Sequence, residues 1–140
     1  MSTDSDPSTQ PGIDWVELRA NAVEMTARSY APYSGFRVGA AAQTETGRVV
    51  RGCNVENVSY GLTLCAECGL VSELAALDAG KIIALAVVSS SGDHCSPCGR
   101  CRQLLVEHST ADAVIDTPDG PTPIAALLPG HFNPNRLQGG

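Results

Sequence analysis

Apolar positions recur along this chain at intervals that alternate between helical and strand-like. Trp15, Leu18, Ala22, Met25 and Tyr30 fall at near-helical spacing, and Asp14 stands where an N-cap belongs. That helix stops before Pro32, because a residue preceding proline disfavours the helical region. Pro32-Tyr33-Ser34-Gly35 reads as a turn. Residues 38–44 and 48–54 read as two strands joined by the short connection Glu45-Thr46-Gly47. After a loop at 55–63, residues 65–79 carry a helical stripe of Leu70, Val71, Leu74, Ala75 and Leu77, with Gly80 as the stop signal.

Residues 82–88 form a near-continuous apolar run, the pattern of a strand covered on both faces. A loop at 89–97 leads to a helix that opens at Cys98 or Gly99 and runs to about His108, with Leu104 and Leu105 inward. Residues 113–115 read as a short strand, 118–123 as a turn-rich link, and 124–128 as a short apolar element, helical in pattern. The order helix, hairpin, helix, strand, helix, strand predicts an α/β protein. Its architecture is a three-layer α/β/α sandwich around a mixed sheet, with the parallel pairing in the later half.

Residues 1–12, rich in Ser, Thr, Asp and Pro, read as a flexible tail, and 13–140 as a single domain. The chain has 140 residues, and a domain of about that size is long enough to hold a core without disulfides. The formal net charge is −6 and no basic stripe is present, which argues against nucleic acid and for a small-molecule partner. No apolar run reaches the roughly 18 residues of a membrane span, and the N-terminal residues lack the basic start and apolar stretch of a signal peptide. The expected compartment is the cytoplasm. Six cysteines there point to metal binding or catalysis, whereas three disulfides in a secreted domain would need an export signal.

The candidate chemistry lies in Cys65-Ala66-Glu67 and Pro97-Cys98-Gly99-Arg100-Cys101. Three thiols stand at metal-ligand spacing, with a carboxylate two residues from the first. Catalytic zinc takes three protein ligands and leaves a fourth position open, whereas structural zinc fills all four. Both motifs fall at helix starts, where the partial positive charge of the helix end stabilises thiolates.

The pattern C-A-E…P-C-G-R-C resembles that of the three-cysteine cytidine deaminases, zinc enzymes of free nucleosides. The resemblance runs from about Ala20 to Leu137. It includes residues 31–41 (A-P-Y-S-G-F-R-V-G-A-A), 52–57 (G-C-N-V-E-N), both cysteine motifs and Leu127-Leu128-Pro129, in that order. It implies a cytidine deaminase-like fold and one Zn²⁺ per subunit on Cys65, Cys98 and Cys101. It further implies hydrolytic deamination of cytidine and 2′-deoxycytidine in pyrimidine salvage, and a homotetramer. Glu67 would move protons from water to N3 of cytosine and then to the departing amine, while zinc supplies the nucleophile.

For the nucleoside, the resemblance implies that Asn54 and Glu56 hydrogen-bond the ribose hydroxyls, with Glu56 on the 3′-OH. Phe36 would meet the pyrimidine ring, the Ala66 backbone would bond the base, and Tyr60 would line the pocket. Phe132 matches an aromatic that reaches a neighbouring subunit's site in related tetramers. Other roles stay open: a solvated loop for Asn54 and Glu56, core packing for Phe36 and Tyr60, and an anchor of its own chain end for Phe132. Cys53 reads as small buried packing, and His108 and His131 as surface residues.

One position departs from the family pattern. Three thiolates on Zn²⁺ sum to −1, and many members place Arg directly after the acid, where this chain has Cys68. Helix N-terminal amides, Arg100 or Arg102 are the candidate substitutes. Cys68 also opens a rival reading. Cys65-x2-Cys68 and Cys98-x2-Cys101, separated by 29 residues, outline a four-thiolate structural module. On a helix, however, Cys68 lies about 300° round and one turn up from Cys65. A deaminase of another cytosine-bearing compound, of the blasticidin S type, is the alternative enzyme, and Asn54-Val55-Glu56 favours a nucleoside over it. A nucleic-acid-editing deaminase fits least, given the acidic charge.

Overall fold

The structure, a computed structural model, describes residues 12–133. Apart from Gly12, the tail expected at 1–12 lies outside the described residues, as do residues 134–140 of the C-terminal segment.

Helix α1 (Trp15–Thr26) begins as its sequence predicts. The Asp14 carboxylate accepts a hydrogen bond from the Glu17 amide at 3.1 Å, and Leu18 and Ala22 face inward. The helix ends earlier than the apolar spacing implied. Tyr30 is extended and pairs with the strand-end loop, its amide donating to the Asn54 carbonyl at 3.1 Å and its carbonyl accepting from the Glu56 amide at 2.8 Å. Those long-range backbone bonds outcompete one more helical turn.

Strands β1 (Val38–Thr44) and β2 (Val49–Cys53) form the expected antiparallel hairpin. Helix α2 (Ala66–Ala76) follows, with Cys65 as its N-cap and Leu70, Val71 and Leu74 buried. Strand β3 (Ile82–Ser89), helix α3 (Gly99–Glu107) with Cys98 as its N-cap, and strand β4 (Ser109–Ile115) complete the main framework. Strand β4 starts four residues before the expected span, because its polar first half still pairs beside β3 at Ser109. Part of the link expected at 118–123 forms a two-residue strand β5 (Thr122–Pro123). Proline is tolerated there because this is an edge strand. A short 3₁₀ turn (Ile124–Leu127) stands where a helical element was expected.

The sheet order is β2-β1-β3-β4-β5. Among the described residues, only strands β3 and β4 run parallel; the other neighbouring pairs are antiparallel, so the sheet is mixed. Alternation sends Ala40, Ala42, Leu85, Val87, Ala113 and Ile115 to one face, under Ala66, Leu70 and Leu74 of α2 and Leu105 of α3. Ala41, Ala84, Ala86, Val88 and Val114 point to the other face, under Leu18 and Ala22 of α1. The result is the expected α/β/α sandwich, with β3 buried on both faces.

The alanines of β1 let helices approach closely on both sides. At Gly39, even a Cβ would fall 1.9 Å from the Ala22 carbonyl oxygen of α1. The start of β1 and the end of β3 are neighbours, with Val38 opposite Ser89, and Gly39 faces Cys53 at the end of β2. One end of the sheet therefore gathers three strand ends, and the starts of α2 and α3 follow from it.

Candidate active site and metal centre

The Cys65, Cys98 and Cys101 sulfurs converge, all lying within 4.8 Å of one another. Two of them are the N-caps of α2 and α3, and the third lies in the first turn of α3. The loop before Cys98 is folded back onto β3. The Cys95 amide donates to the Val87 carbonyl at 2.9 Å, and His94 bridges Val88. Arg102 braces the same loop, donating to the Pro97 carbonyl at 2.8 Å, the Ser96 hydroxyl at 2.9 Å and the Leu127 carbonyl at 3.0 Å. The start of α3 is thus held by hydrogen bonds to its leading loop as well as by the core.

Three sulfurs in this arrangement suit a tetrahedral dication, whose thiolates stand about 2.3 Å from the metal and so about 3.8 Å apart. The donor set makes the same point chemically. Burial, with the Glu67 charge adding to it, pushes the Cys65 and Cys101 thiols up from their ordinary value. The backbone amide of Cys101 draws Cys98 down. A partly buried trio that resists carrying three negative charges alone is well matched to Zn²⁺, which neutralises two of them.

Cys68 stands outside the trio. The helical turn carries it away, and its sulfur instead accepts a hydrogen bond from Arg100 Nη2 at 3.2 Å. The four-thiolate arrangement therefore does not form. Cys95 and Cys53 are likewise not part of the cluster, and all six cysteines are free thiols.

Beside the trio lies a cavity of about 350 Å³. Cys65 and, from the start of α2, Ala66 and Glu67 line it together with Val87, Cys95, Phe36 and Asn54. Glu67 is 4% exposed, and burial pushes its carboxyl above the ordinary value. The sequence separation of two puts this acid on the inner face of α2 while Cys65 remains at its start.

Asn54 is buried and structurally committed. Its side-chain oxygen accepts from the Val38 amide at 2.9 Å and from the Ser29 hydroxyl, and its Nδ2 donates to the Phe36 carbonyl at 2.9 Å. One amide N–H is then left over for the cavity. Phe36, 55% exposed, is held at the rim by that bond.

Glu56 and Tyr60 line a second cleft of about 270 Å³ with Tyr33 and Ser34. Thr63 borders both spaces, so the two lie side by side. The Glu56 carboxylate accepts from the Tyr33 amide at 2.9 Å, the Ser34 amide at 3.1 Å and the Ser34 hydroxyl. The Ser34 hydroxyl bond, with the two amides assisting against desolvation, holds Glu56 below the usual carboxylate range. The Tyr33 and Tyr60 rings meet edge to face with centroids 6.3 Å apart. Phe132 is not among the cavity walls; its carbonyl accepts from Gln103 Nε2 at 2.8 Å, beside α3.

Sequence reasoning missed the group behind the cysteine loop. The Asp116 side chain, 2% exposed, is gripped by Arg19 Nε and Nη2, the latter at 3.1 Å, and meets His94 Nε2 at 3.0 Å. Burial alone would raise the Asp116 carboxyl, but Arg19 and His94 outweigh it and hold it below the usual range. Arg19 and Asp116 are 97 residues apart, and no spacing rule connects them. His108 and His131, expected at the surface, are half-buried.

The family model for the cytidine and deoxycytidylate deaminase zinc-binding region matches residues 16–117. Cytidine deaminase from Mycobacterium tuberculosis (strain H37Rv) is 53% identical over 122 residues, covering 87% of this chain and 92% of that protein. Cytidine deaminase from Halalkalibacterium halodurans is 37% identical over 127 residues, covering 86% of this chain and 95% of that protein. A crystal structure of cytidine deaminase from M. tuberculosis superposes with a TM-score of 0.83 at 53% identity, covering 86% of this chain and 98% of that chain. One from Burkholderia pseudomallei gives 0.77 at 36% identity, covering 86% and 100% respectively.

Proposed function

Because the chain belongs to the cytidine deaminase family, we propose that it hydrolyses cytidine and 2′-deoxycytidine to uridine and 2′-deoxyuridine with release of ammonia. One observation carries the mechanism: a buried carboxylate, Glu67, faces the same cavity as the Cys65 sulfur of a metal-binding trio. Cys65, Cys98 and Cys101 would hold one Zn²⁺. When bound, the ion acidifies a water molecule and so supplies a nucleophile at neutral pH.

Glu67 handles the protons. Its carboxylate takes one from the attacking water and places it on N3 of the pyrimidine, which makes C4 more electrophilic. It takes the second proton after the C4–O bond has formed and delivers it to the 4-amino group. The C4–N bond then breaks and ammonia leaves. Burial, which raises the carboxyl, suits a group that must both accept and return a proton.

The remaining residues bind and orient. Ala66 offers backbone groups to the base from the start of α2, and Phe36 packs against the ring. Asn54 offers its remaining N–H to the ribose. Glu56 Oε2 accepts only from the Ser34 hydroxyl among the described residues, so it keeps a lone pair for the 3′-OH. Tyr60 closes the ribose cleft.

The working unit is the single domain at 13–140, in a cytoplasmic homotetramer serving pyrimidine salvage. Support for assembly comes from the 55–64 loop, where Val55, Val58, Tyr60, Leu62 and Leu64 are 40–76% exposed. So many large apolar side chains on one segment need a partner surface. Phe132 is exposed and does not line its own chain's cavity, which supports a role for it at a neighbouring subunit's site. Among the described residues, no helix is long and apolar enough to cross a membrane.

Glu67→Gln tests the reading. Ammonia release from cytidine should fall about 10²–10⁴-fold, the range of general acid–base catalysis, with one zinc per chain retained. A parent protein that carries its zinc but leaves cytidine unchanged in an ultraviolet assay would overturn it.

A further inference from the structure

The metal centre has a charge imbalance that its own ligands do not settle. Three thiolates and Zn²⁺ sum to −1, and the adjacent Glu67 carboxylate brings the cluster to −2. Two arginines stand in the first turns of α3, among the cysteines. Arg102 is committed elsewhere, with its guanidinium directed at the Pro97 and Leu127 carbonyls and the Ser96 hydroxyl. Arg100 is different. It lies between Cys98 and Cys101 in sequence, crosses from α3 to α2, and donates to the Cys68 sulfur at 3.2 Å. From there its guanidinium is attracted by Cys65 and Cys101 as well.

We propose that Arg100 is a positioning residue of the metal centre, anchored by Cys68, whose charge offsets the surplus negative charge of the trio and Glu67 and so helps retain the ion. This rests on the metal reading of the trio. Cys68 is the seat for a guanidinium rather than a ligand. The contact also ties α3 to α2 one helical turn from the ligand Cys65, so it joins the two elements that carry the three sulfurs. Because Arg100 is exposed, its influence is modest and sensitive to salt.

The test uses zinc-loaded protein and reads zinc release to an excess of a chromophoric chelator, with metal content measured first. Arg100→Gln should release zinc roughly twofold to fivefold faster at low salt, the range an exposed ion pair can supply. The difference should close near 1 M KCl, and Arg100→Lys should recover part of it. Cys68→Ala should shift release as Arg100→Gln does, and the double variant should be no faster than Arg100→Gln alone. Cys68→Ser, whose hydroxyl can still accept from the guanidinium, should keep one zinc per chain and release it close to the parental rate.

Parental release in Arg100→Gln, or a difference that ignores salt, would overturn the proposal. So would additive effects in the double variant, or loss of stoichiometric zinc in Cys68→Ser. None of these readouts depends on cytidine, so a failure of the deamination reading would appear separately, as absent ammonia release with the same zinc rates.

Discussion

Gly52 on β2 lies directly against Ala66 at the start of α2: a Cβ at Gly52 would stand 2.2 Å from the Ala66 carbonyl oxygen and 2.5 Å from the Leu70 amide nitrogen. Both opposing atoms are backbone, so neither can swing aside. Helix α2 therefore rests on the hairpin at the turn that presents Cys65 and Glu67. Gly52→Ala should destabilise the protein by about 1–3 kcal/mol through overpacking. It should also lower zinc occupancy, because the helix start must move. Gly39→Ala, whose Cβ meets α1 on the opposite face, should lower the melting temperature with zinc stoichiometry intact. Equal zinc loss in both would refute the distinction.

Asn54 should matter to stability as well as to binding. Removing its side chain in Asn54→Ala leaves the half-buried Val38 amide without its acceptor and frees the Phe36 carbonyl. A loss of about 1–3 kcal/mol is expected from unsatisfied groups of this kind. The KM for cytidine should rise, since Phe36 is no longer held at the rim. Urea unfolding and steady-state kinetics on the same preparation check both effects; unchanged stability would mean the hydrogen bonds are dispensable.

Asp116 sets an acid-side dependence. Its folded carboxyl is held below the usual range, so the stability it contributes is fully present above its unfolded pKa of about 3.9. That contribution is lost as pH falls through the lower folded value. Asp116→Asn should cost about 1–3 kcal/mol at pH 7, as for hydrogen bonds to a charged group, and should flatten stability between pH 5 and pH 3 relative to the parent. Parallel urea titrations of the two proteins across that window would show the slopes converge or not.

Metal removal should be felt by the fold. Cys65 and Cys98 stand at the starts of two different helices, so an ion bound to both would tie those starts together. An ion that binds only the folded state stabilises it by about 2.7 kcal/mol when free zinc is 100 times its dissociation constant. Excess chelator should lower the melting temperature, and added zinc should restore it. An unchanged melting curve would argue that the trio is held fully by the core.

Much of this was legible along the chain. The Asp14 cap, the 38–44 strand and the apolar run into β3 report local rules, and each survives because tertiary contacts agree with them. Where they disagree, the long-range bond wins. Tyr30 fits a helical stripe but is drawn into an extended pairing with the 54–56 segment. Residues 109–112 look too polar for a strand, yet Ser109 pairs beside β3. Glu56 and Asn54 were visible as a spaced polar pair. That they brace the 33–36 loop from two sides was not, because the loop lies more than 15 residues away.

The chain alone determined the chemistry. Ligand spacing, an acid two residues after the first thiol and caps at two helix starts are local properties, and local geometry follows from them wherever the segment sits. Folding decided which of the remaining groups joins that chemistry. Sheet register places α3 beside α2, and that placement puts Arg100 on Cys68, sends Arg102 to the loop backbone and closes Arg19 and His94 on Asp116. Charge pairing acts over a few ångströms of space, and the chain brings such groups together only after the sheet has set their separation.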